Sequence, residues 1–408
     1  MHKLFDPARH ETLAGAPWQA DTARAALQRF ADDACARFDP DLGWPAHPLD
    51  DPAQPDERFH NLYCGAGGVV WALEHLARAG AIQHKPDFRA FAAALVTKNR
   101  VNLGAPQHGT QSYLLGDAGL LLLQWTLGHD DAVADALFEV VRSNLHNPVR
   151  EALWGSPGTV LAAVFMAEFT AGSMEQARWA ALVREAVQIS FDEMESMAEF
   201  GGLWLWRQDL YGRPCTLLGA GHGFAGNVFP ALRAAALLDA PPAQAFADRA
   251  LHTLQATARH GGGGINWAPE PETPAKPYPR AMLVQDCHGA PGIICRLAGA
   301  PRSAAWDALL LGAGELTWRA GPLIKGASLC HGTAGSAMAM LKLWRRSGDA
   351  QWLDRARALA MHAVAQVEQH RSQYGRGRYS LWSGDLGLAC VLWNCLQGSD
   401  RFPTLDVF

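Results

Sequence analysis

The stretch GAPGIICRLA (residues 289–298) places two glycines three positions apart, directly before a run of apolar residues. The same pattern returns along the whole chain, with seven copies in all. The other six are GAGGVVWAL (65–73), GDAGLLLLQW (116–125), GSPGTVLAAVFM (155–166), GFAGNVFPAL (223–232), GTAGSAMAMLKLW (332–344) and GDLGLACVLWNCL (384–396). The first glycines of successive copies lie 39 to 68 residues apart, which leaves room for two helices in each repeat.

The segments between the motifs carry apolar residues at i, i+3, i+4 and i+7 and charged residues on the opposite face. Examples begin at Asp21, Asp130, Ser173 and Ala350. This pattern is typical of half-exposed helices, whereas the runs after the glycine motifs are apolar almost all round, as in helices enclosed by neighbours. Alternation typical of strands is nowhere sustained. The sequence therefore predicts an all-α fold.

Seven pairs of one amphipathic and one apolar helix can bury the apolar helices completely only by closing into a ring. We therefore expect an α/α toroid with seven inner and seven outer helices, forming one domain over residues 1–408 instead of the two or three that length suggests. Residues 1–60 form the N-terminal segment with the first outer helix. Each glycine pair predicts a helix-start loop with special φ values and close helix packing.

The composition narrows the class of protein. Of the 408 residues, 49% are hydrophobic and 18% charged, and the net charge is −5, which is typical of a soluble globular protein. Charges of both signs are interspersed, which argues against nucleic-acid and anionic-membrane binding. Because no apolar stretch has signal-peptide or membrane-span length, we expect a cytoplasmic protein. Its eight cysteines are then free thiols or metal ligands.

Histidine and cysteine recur directly before the glycine motifs. The residue before the first motif glycine is His222, His288 and His331 in three repeats, and Cys287 and Cys330 precede the last two of these. Equal offsets from the glycines predict equal height in the ring, so these side chains should face one pocket. Thiolate and imidazole are zinc ligands, and three protein ligands leave the fourth position open for chemistry. Cys287, Cys330 and one adjacent histidine would make such a site.

The charge of that ligand set indicates what the zinc would do. Two thiolates cancel the charge of the ion, so a substrate thiol in the open position would be deprotonated yet remain nucleophilic. This combination suits an enzyme that alkylates thiols. The enolate formed on the acceptor needs a proton, which His222 could supply.

The succession GHGFAG, CHGAPG and CHGTAG, with EALWGSPG before it, resembles the lanthionine synthetase C-like (LanC-like) family, and the resemblance extends over all seven repeats. It implies a seven-fold α/α barrel and a zinc ion held by two cysteines and a histidine. It also implies addition of a thiol to dehydroalanine or dehydrobutyrine in a peptide, producing a thioether. Position by position, the implied zinc ligands are Cys287, Cys330 and His331, and His222 is the implied acid/base residue.

Two further residues match positions of the family. Glu151 matches an acidic position at the third motif and could orient His222 or a substrate amide; the alternative is a solvated glutamate at a helix end. His288 is histidine as in the stand-alone, eukaryotic-type members, which implies that it contacts the substrate or supports a zinc ligand.

This sequence also departs from the family pattern. The residue before the first zinc cysteine is often tryptophan, but here it is Asp286, which adds negative charge beside the metal or hydrogen-bonds a ligand. A basic residue is expected near Met282, and Arg280, two places away, is the candidate enolate stabiliser. The Gly- and Pro-rich segment 260–282 precedes the metal motif and is predicted to be a loop over the pocket mouth.

The sequence leaves the substrate open. The thiol could come from a cysteine of the modified peptide or from glutathione, as in eukaryotic-type members. The chain shows no dehydratase-like segment, so a separate dehydratase, or a kinase followed by elimination, must supply the dehydroamino acid. One alternative is a non-catalytic zinc scaffold that binds a peptide or protein. A remoter alternative is an α/α-barrel glycosidase with two acids among Glu151, Asp117, Asp286 and Asp385.

Overall fold

The computed structural model describes residues 4–54, 56–238, 240–275 and 277–408 and is mostly helical, as predicted. Residues 1–3, 55 and 276, which fall within the predicted N-terminal segment and loop, lie outside this description, as does residue 239. The described residues contain fourteen α-helices: α1 Ala20–Ala36, α2 Ala66–Arg78, α3 Arg89–Leu103, α4 Asp117–Gly128, α5 Asp131–Ser143, α6 Ser156–Phe169, α7 Met174–Asp192, α8 Phe224–Arg233, α9 Ala240–Thr257, α10 Ala290–Leu297, α11 Ala304–Ala320, α12 Thr333–Ser347, α13 Ala350–Tyr374 and α14 Asp385–Gln397.

Every glycine motif begins an even-numbered helix. The first glycine of each motif is the N-cap of the helix that follows, from Gly65 before α2 to Gly384 before α14. These helices are largely enclosed, and in α6 every residue from Ser156 to Ala167 is buried. The odd-numbered helices keep an exposed face, as the periodicity predicts.

At α2, α8, α12 and α14, the loop before the helix supplies a backbone hydrogen-bond acceptor to the first residue of the helix. At α8, the backbone N–H groups of Phe224 and Ala225 donate to the carbonyls of Leu217 and Leu218, at 2.8 and 3.2 Å. These bonds satisfy amides that an isolated helix leaves without partners. The loop backbone therefore lies so close to the helix that a Cβ at Gly226 would overlap the carbonyl of Ala220.

Close approach of the loop backbone, rather than a positive φ, explains most of the motif glycines. Among the first glycines of the seven motifs, Gly289 alone has a positive φ, at 113°. The prediction of close packing is confirmed, whereas the prediction of special φ values is wrong for the other six.

The chain divides into two compact units. Of the described residues, the first unit contains 4–7, 106–113, 135–238, 240–275 and 277–320. In it the buried helices pack in chain order, α6 against α8 and α8 against α10, and α7 and α11 pack against α6 and α10.

The second unit contains the described residues of 8–105, 114–134 and 321–408. Its buried helices pack in the order α12, α14, α2 and α4, with α13, α1 and α3 against α12, α14 and α4. The contact between α14 and α2 joins the last motif of the chain to the first. The single closed ring stays a prediction.

Three short antiparallel hairpins, which no sequence pattern predicts, add to the helices. Their strands are β1 Glu195–Met197, β2 Leu203–Leu205, β3 Gln208–Leu210, β4 Arg213–Cys215, β5 Arg259–Gly261 and β6 Gly264–Asn266. The last hairpin corrects the prediction for segment 260–282, because this segment begins with most of β5 and all of the buried strand β6. Within the described part of the chain, no helix is long and apolar enough to cross a membrane.

Candidate metal and acid–base site

In the first unit, the loops before α6 and α8 bring Glu151 and His222 together. His222 Nδ1 lies 2.8 Å from Glu151 Oε2. Glu151 is completely buried, and its carboxylate also accepts hydrogen bonds from the backbone N–H groups of Leu153 (3.1 Å) and Trp154 (2.5 Å). The carboxylate thus has three donors and a fixed orientation, which does not fit the solvated glutamate that the sequence left as an alternative.

The hydrogen bond to Glu151 also fixes the proton on His222. An ionised carboxylate can only accept, so Nδ1 carries the hydrogen and Nε2 is left to exchange a proton with a ligand. Desolvation lowers the pKa of His222, but the hydrogen bond and charge of Glu151, with the charge of Cys287, outweigh it and raise the pKa above its ordinary value. The pair is therefore suited to hold and deliver one proton.

Gln208, which no sequence motif predicts, holds the two loops together. This buried side chain on β3 donates from Nε2 to the carbonyls of His222 (2.8 Å) and Arg150 (3.2 Å), and its Oε1 accepts from the backbone of Leu217 (2.8 Å). One amide thus ties the residue before Glu151 to His222. The glycine motifs give no signal for it, because its hairpin lies between two of them.

Cys287 lies in the loop before α10, against the loop that carries His222. The carbonyl of Cys287 accepts hydrogen bonds from the backbone N–H groups of Ala220 (3.2 Å) and Gly221 (3.1 Å). Its buried Sγ lies 2.9 Å from Nε2 of Gln285. Backbone pairing thus places a thiol beside His222 within one unit.

Asp286, whose role the sequence left open, forms a buried ion pair with Arg296 on α10. The two carboxylate oxygens meet the two terminal guanidinium nitrogens at 3.2 and 2.7 Å. Asp286 is 1% exposed and Arg296 5% exposed. The negative charge beside Cys287 is therefore balanced by a cation of the same unit.

His288 and Arg280, the two remaining candidate residues of this unit, lie in different surroundings. The half-buried ring of His288 stacks near that of His222, with centroids 6.0 Å apart and planes at 28°. Arg280 is exposed, and Met282, near the expected basic position, is buried. His288 is thus adjacent to His222, while the roles of His288 and Arg280 stay predictions.

In the second unit, Cys330 and His331 present their side chains to each other just before α12. Cys330 Sγ and His331 Nε2 are 3.6 Å apart. The backbone N–H of Cys330 donates to the carbonyl of Trp382 (3.0 Å), and that of His331 donates to Ser328 Oγ (3.3 Å). With Zn–S near 2.3 Å and Zn–N near 2.0–2.1 Å, a tetrahedral zinc ion holds a sulfur and a nitrogen about 3.6 Å apart. This pair has the spacing of two zinc ligands.

The three zinc ligands that the family resemblance implies are Cys287 in the first unit and Cys330 and His331 in the second. The donor set of two thiols and one imidazole suits zinc.

The remaining acids suggested for a glycosidase serve local contacts. Asp117 and Asp385 each begin a buried helix directly after its N-cap glycine. Asp117 pairs with Arg100 at 2.8 Å, and Asp385 accepts from the backbone N–H of Arg378 at 3.1 Å. A carboxylate at the N-terminus of a helix is stabilising, so their position is explained by the fold.

Comparisons with known proteins find a matching family model, similar proteins and a similar solved structure. The family model described as "Lanthionine synthetase C-like protein" matches residues 51–407. "LanC-like protein GCL1" of Arabidopsis thaliana is 34% identical over 137 residues, which are 32% of this chain and 31% of that protein. "Glutathione S-transferase LANCL1" of Danio rerio is 25% identical over 381 residues, 86% of each chain. The solved structure of "Nisin cyclase" matches with a TM-score of 0.62 and 15% identity, covering 90% of this chain and 93% of that one.

Proposed function

The chain belongs to the lanthionine synthetase C-like protein family, and from this premise we propose that it is a zinc-dependent enzyme that forms carbon–sulfur bonds. It adds a thiol to dehydroalanine or dehydrobutyrine in a peptide or protein, giving a thioether. The observation that carries the proposal is the 3.6 Å separation of Cys330 Sγ and His331 Nε2, which matches two ligands of one zinc ion.

In this proposal Cys287, Cys330 and His331 hold the zinc ion, which supplies a fourth position where a substrate thiol is deprotonated and stays nucleophilic. His222, held by Glu151, supplies the proton that the enolate carbon requires. Because Glu151 holds Nδ1 of His222, Nε2 can accept the proton that the substrate thiol loses and deliver it to the enolate carbon after the sulfur adds. His288 contacts the acceptor beside His222, and Arg280 stabilises the enolate from the exposed segment before the metal motif.

We propose glutathione as the thiol. The name of the Danio rerio relative, which aligns over 86% of this chain, supports this choice, and His288 agrees with it. A cysteine of the acceptor peptide is the alternative, and a separate dehydratase or kinase would prepare the acceptor. The match to nisin cyclase over 90% of the chain supports one ring of seven helix pairs. We also propose a cytoplasmic location, where the eight cysteines would stay reduced and could serve as thiols or metal ligands.

The test measures metal content and product with the same preparation. We expect about one zinc per chain, and a glutathione adduct of a dehydroalanine peptide seen by mass spectrometry. Cys330→Ala should lose both zinc and product. Cys64→Ala is the matched control, because Cys64 directly precedes the first motif glycine of another repeat and should be dispensable.

Two results would overturn parts of this proposal. Active protein without metal would contradict the zinc site. Zinc-loaded protein that forms no adduct with glutathione or with a cysteine-bearing dehydrated peptide would instead support the scaffold alternative.

A further inference from the structure

The side-chain amide of Gln285 donates a hydrogen bond to the sulfur of Cys287. Both side chains are buried, and Nε2 of Gln285 lies 2.9 Å from Sγ of Cys287. The backbone N–H of Gln285 donates to the carbonyl of His288 at 3.1 Å, so the turn around Cys287 is closed by its own backbone. That bond fixes the backbone from which the Gln285 side chain extends, and the side-chain N–H group then points at Sγ of Cys287.

An amide N–H that donates to a thiolate lowers the electron density on the sulfur. A hydrogen bond with one charged partner is among the stronger ones in proteins, and burial keeps water from competing for it. The sulfur remains able to bind a metal, but it is a weaker nucleophile than a thiolate that lacks such a donor. This difference matters in a site that brings an electrophilic alkene close to several thiolates.

We propose that Gln285 is a positioning residue that protects Cys287 from alkylation by the enzyme's own electrophilic substrate. The unwanted reaction joins Cys287 Sγ to the terminal carbon of dehydroalanine, breaks the C=C π bond, and places a proton from protonated His222 on the neighbouring carbon. It consumes one acceptor and destroys one metal ligand. By donating to Cys287, Gln285 directs the alkene to the substrate thiol. This inference rests on the proposed function, because Cys287 needs protection only as a ligand in a thiol-adding site.

The experiment compares zinc-loaded wild type with Gln285→Met, which keeps the side-chain volume and removes both N–H donors. Each protein is incubated with a dehydroalanine peptide without glutathione, and intact mass and peptide mapping measure adducts on Cys287. We expect Gln285→Met to be alkylated at Cys287 at least roughly tenfold faster, as loss of one hydrogen bond to a charged group implies. Gln285→Asn, whose shorter side chain also withdraws the donor from the sulfur, serves as a second variant with the same expected direction.

A spectroscopic readout separates this role from simple support of the fold. In cobalt-substituted protein, the sulfur-to-cobalt charge-transfer band should move to lower energy in Gln285→Met, because the sulfur becomes more electron-rich. If metal-loaded wild type and both variants alkylate at Cys287 at equal rates with unchanged spectra, this inference is wrong and the proposed function stands. If wild type binds neither zinc nor cobalt, both proposals are wrong.

Discussion

His222 donates from Nδ1 to Oε2 of Glu151 over 2.8 Å, although the two residues are 71 positions apart in the chain. The carboxylate has no solvent exposure and two backbone donors of its own, so it is oriented without help from a ligand. The histidine therefore has one defined free nitrogen. This relationship makes the acid/base assignment testable apart from the metal.

Glu151→Gln should reduce the rate of thiol addition and leave the zinc content unchanged. A carboxamide cannot stabilise the imidazolium, and general acid–base catalysis contributes typically 10² to 10⁴ in rate, so we expect a loss of roughly 10² or more. The measurement is the initial rate of adduct formation with zinc quantified on the same sample. Glu193→Gln is the control, since Glu193 pairs with Arg150 in the same unit and should be dispensable. A fully active Glu151→Gln variant would remove the assigned role of this pair.

Gly292→Ala should destabilise the protein strongly, whereas Gly299→Ala should be nearly neutral. A Cβ at Gly292 would overlap the carbonyl oxygen of Asp286 and lie 2.7 Å from the Cβ of Ala220, while a Cβ at Gly299 meets nothing within 4 Å. Overpacking of this kind costs roughly 1–3 kcal/mol. Urea unfolding of the two variants measures the difference. Equal stability would show that the helix-start loop can move and that close approach does not explain the motif.

The glycine motifs made the helical fold predictable because each one encodes a physical constraint, a loop backbone lying on a helix start. The hairpins were not predictable, because strands of three residues are too short to show alternation. The hairpin Gln208–Cys215 matters for function all the same, since it carries Gln208 to the carbonyl of His222.

The site was predictable in part for a related reason. Cys287 and His222 occupy fixed offsets from motif glycines, and the structure brings their loops together by backbone hydrogen bonds. Gln285 and Arg296 have no such marker. Their partners depend on how the loop before α10 turns, which depends on the packing of that loop and not on spacing in the sequence.

Arg296→Leu should be much more destabilising than the double substitution Asp286→Leu with Arg296→Leu. Removing one partner of a buried ion pair leaves an uncompensated charge, which costs roughly 3–5 kcal/mol, whereas an apolar pair can be nearly neutral. A double-mutant cycle in denaturant measures the coupling free energy. The exposed pair of Arg142 and Glu139, 60% and 59% exposed, is the control and should show under about 0.5 kcal/mol. A coupling energy as small as the control's would mean that Asp286 is neutral in the folded protein.

Stability should fall between about pH 4 and pH 7 because of Asp385 in the second unit. Desolvation raises the pKa of this buried carboxyl to about 7, and the charge of Asp33 adds to the rise. The backbone N–H of Arg378 and the charges of Arg371 and Arg378 lower the pKa but do not outweigh the desolvation. The unfolded chain loses this proton near its ordinary pKa of about 3.9. Between these two pKa values the folded state binds more protons, so rising pH favours unfolding, and the loss of stability is complete above about pH 7.

In Asp385→Asn the free energy of unfolding should vary less over this window, by on the order of a few kcal/mol. Urea unfolding at pH 5 and pH 8 measures this, and parallel changes in wild type and Asp385→Asn would show that the carboxyl is already ionised at pH 5.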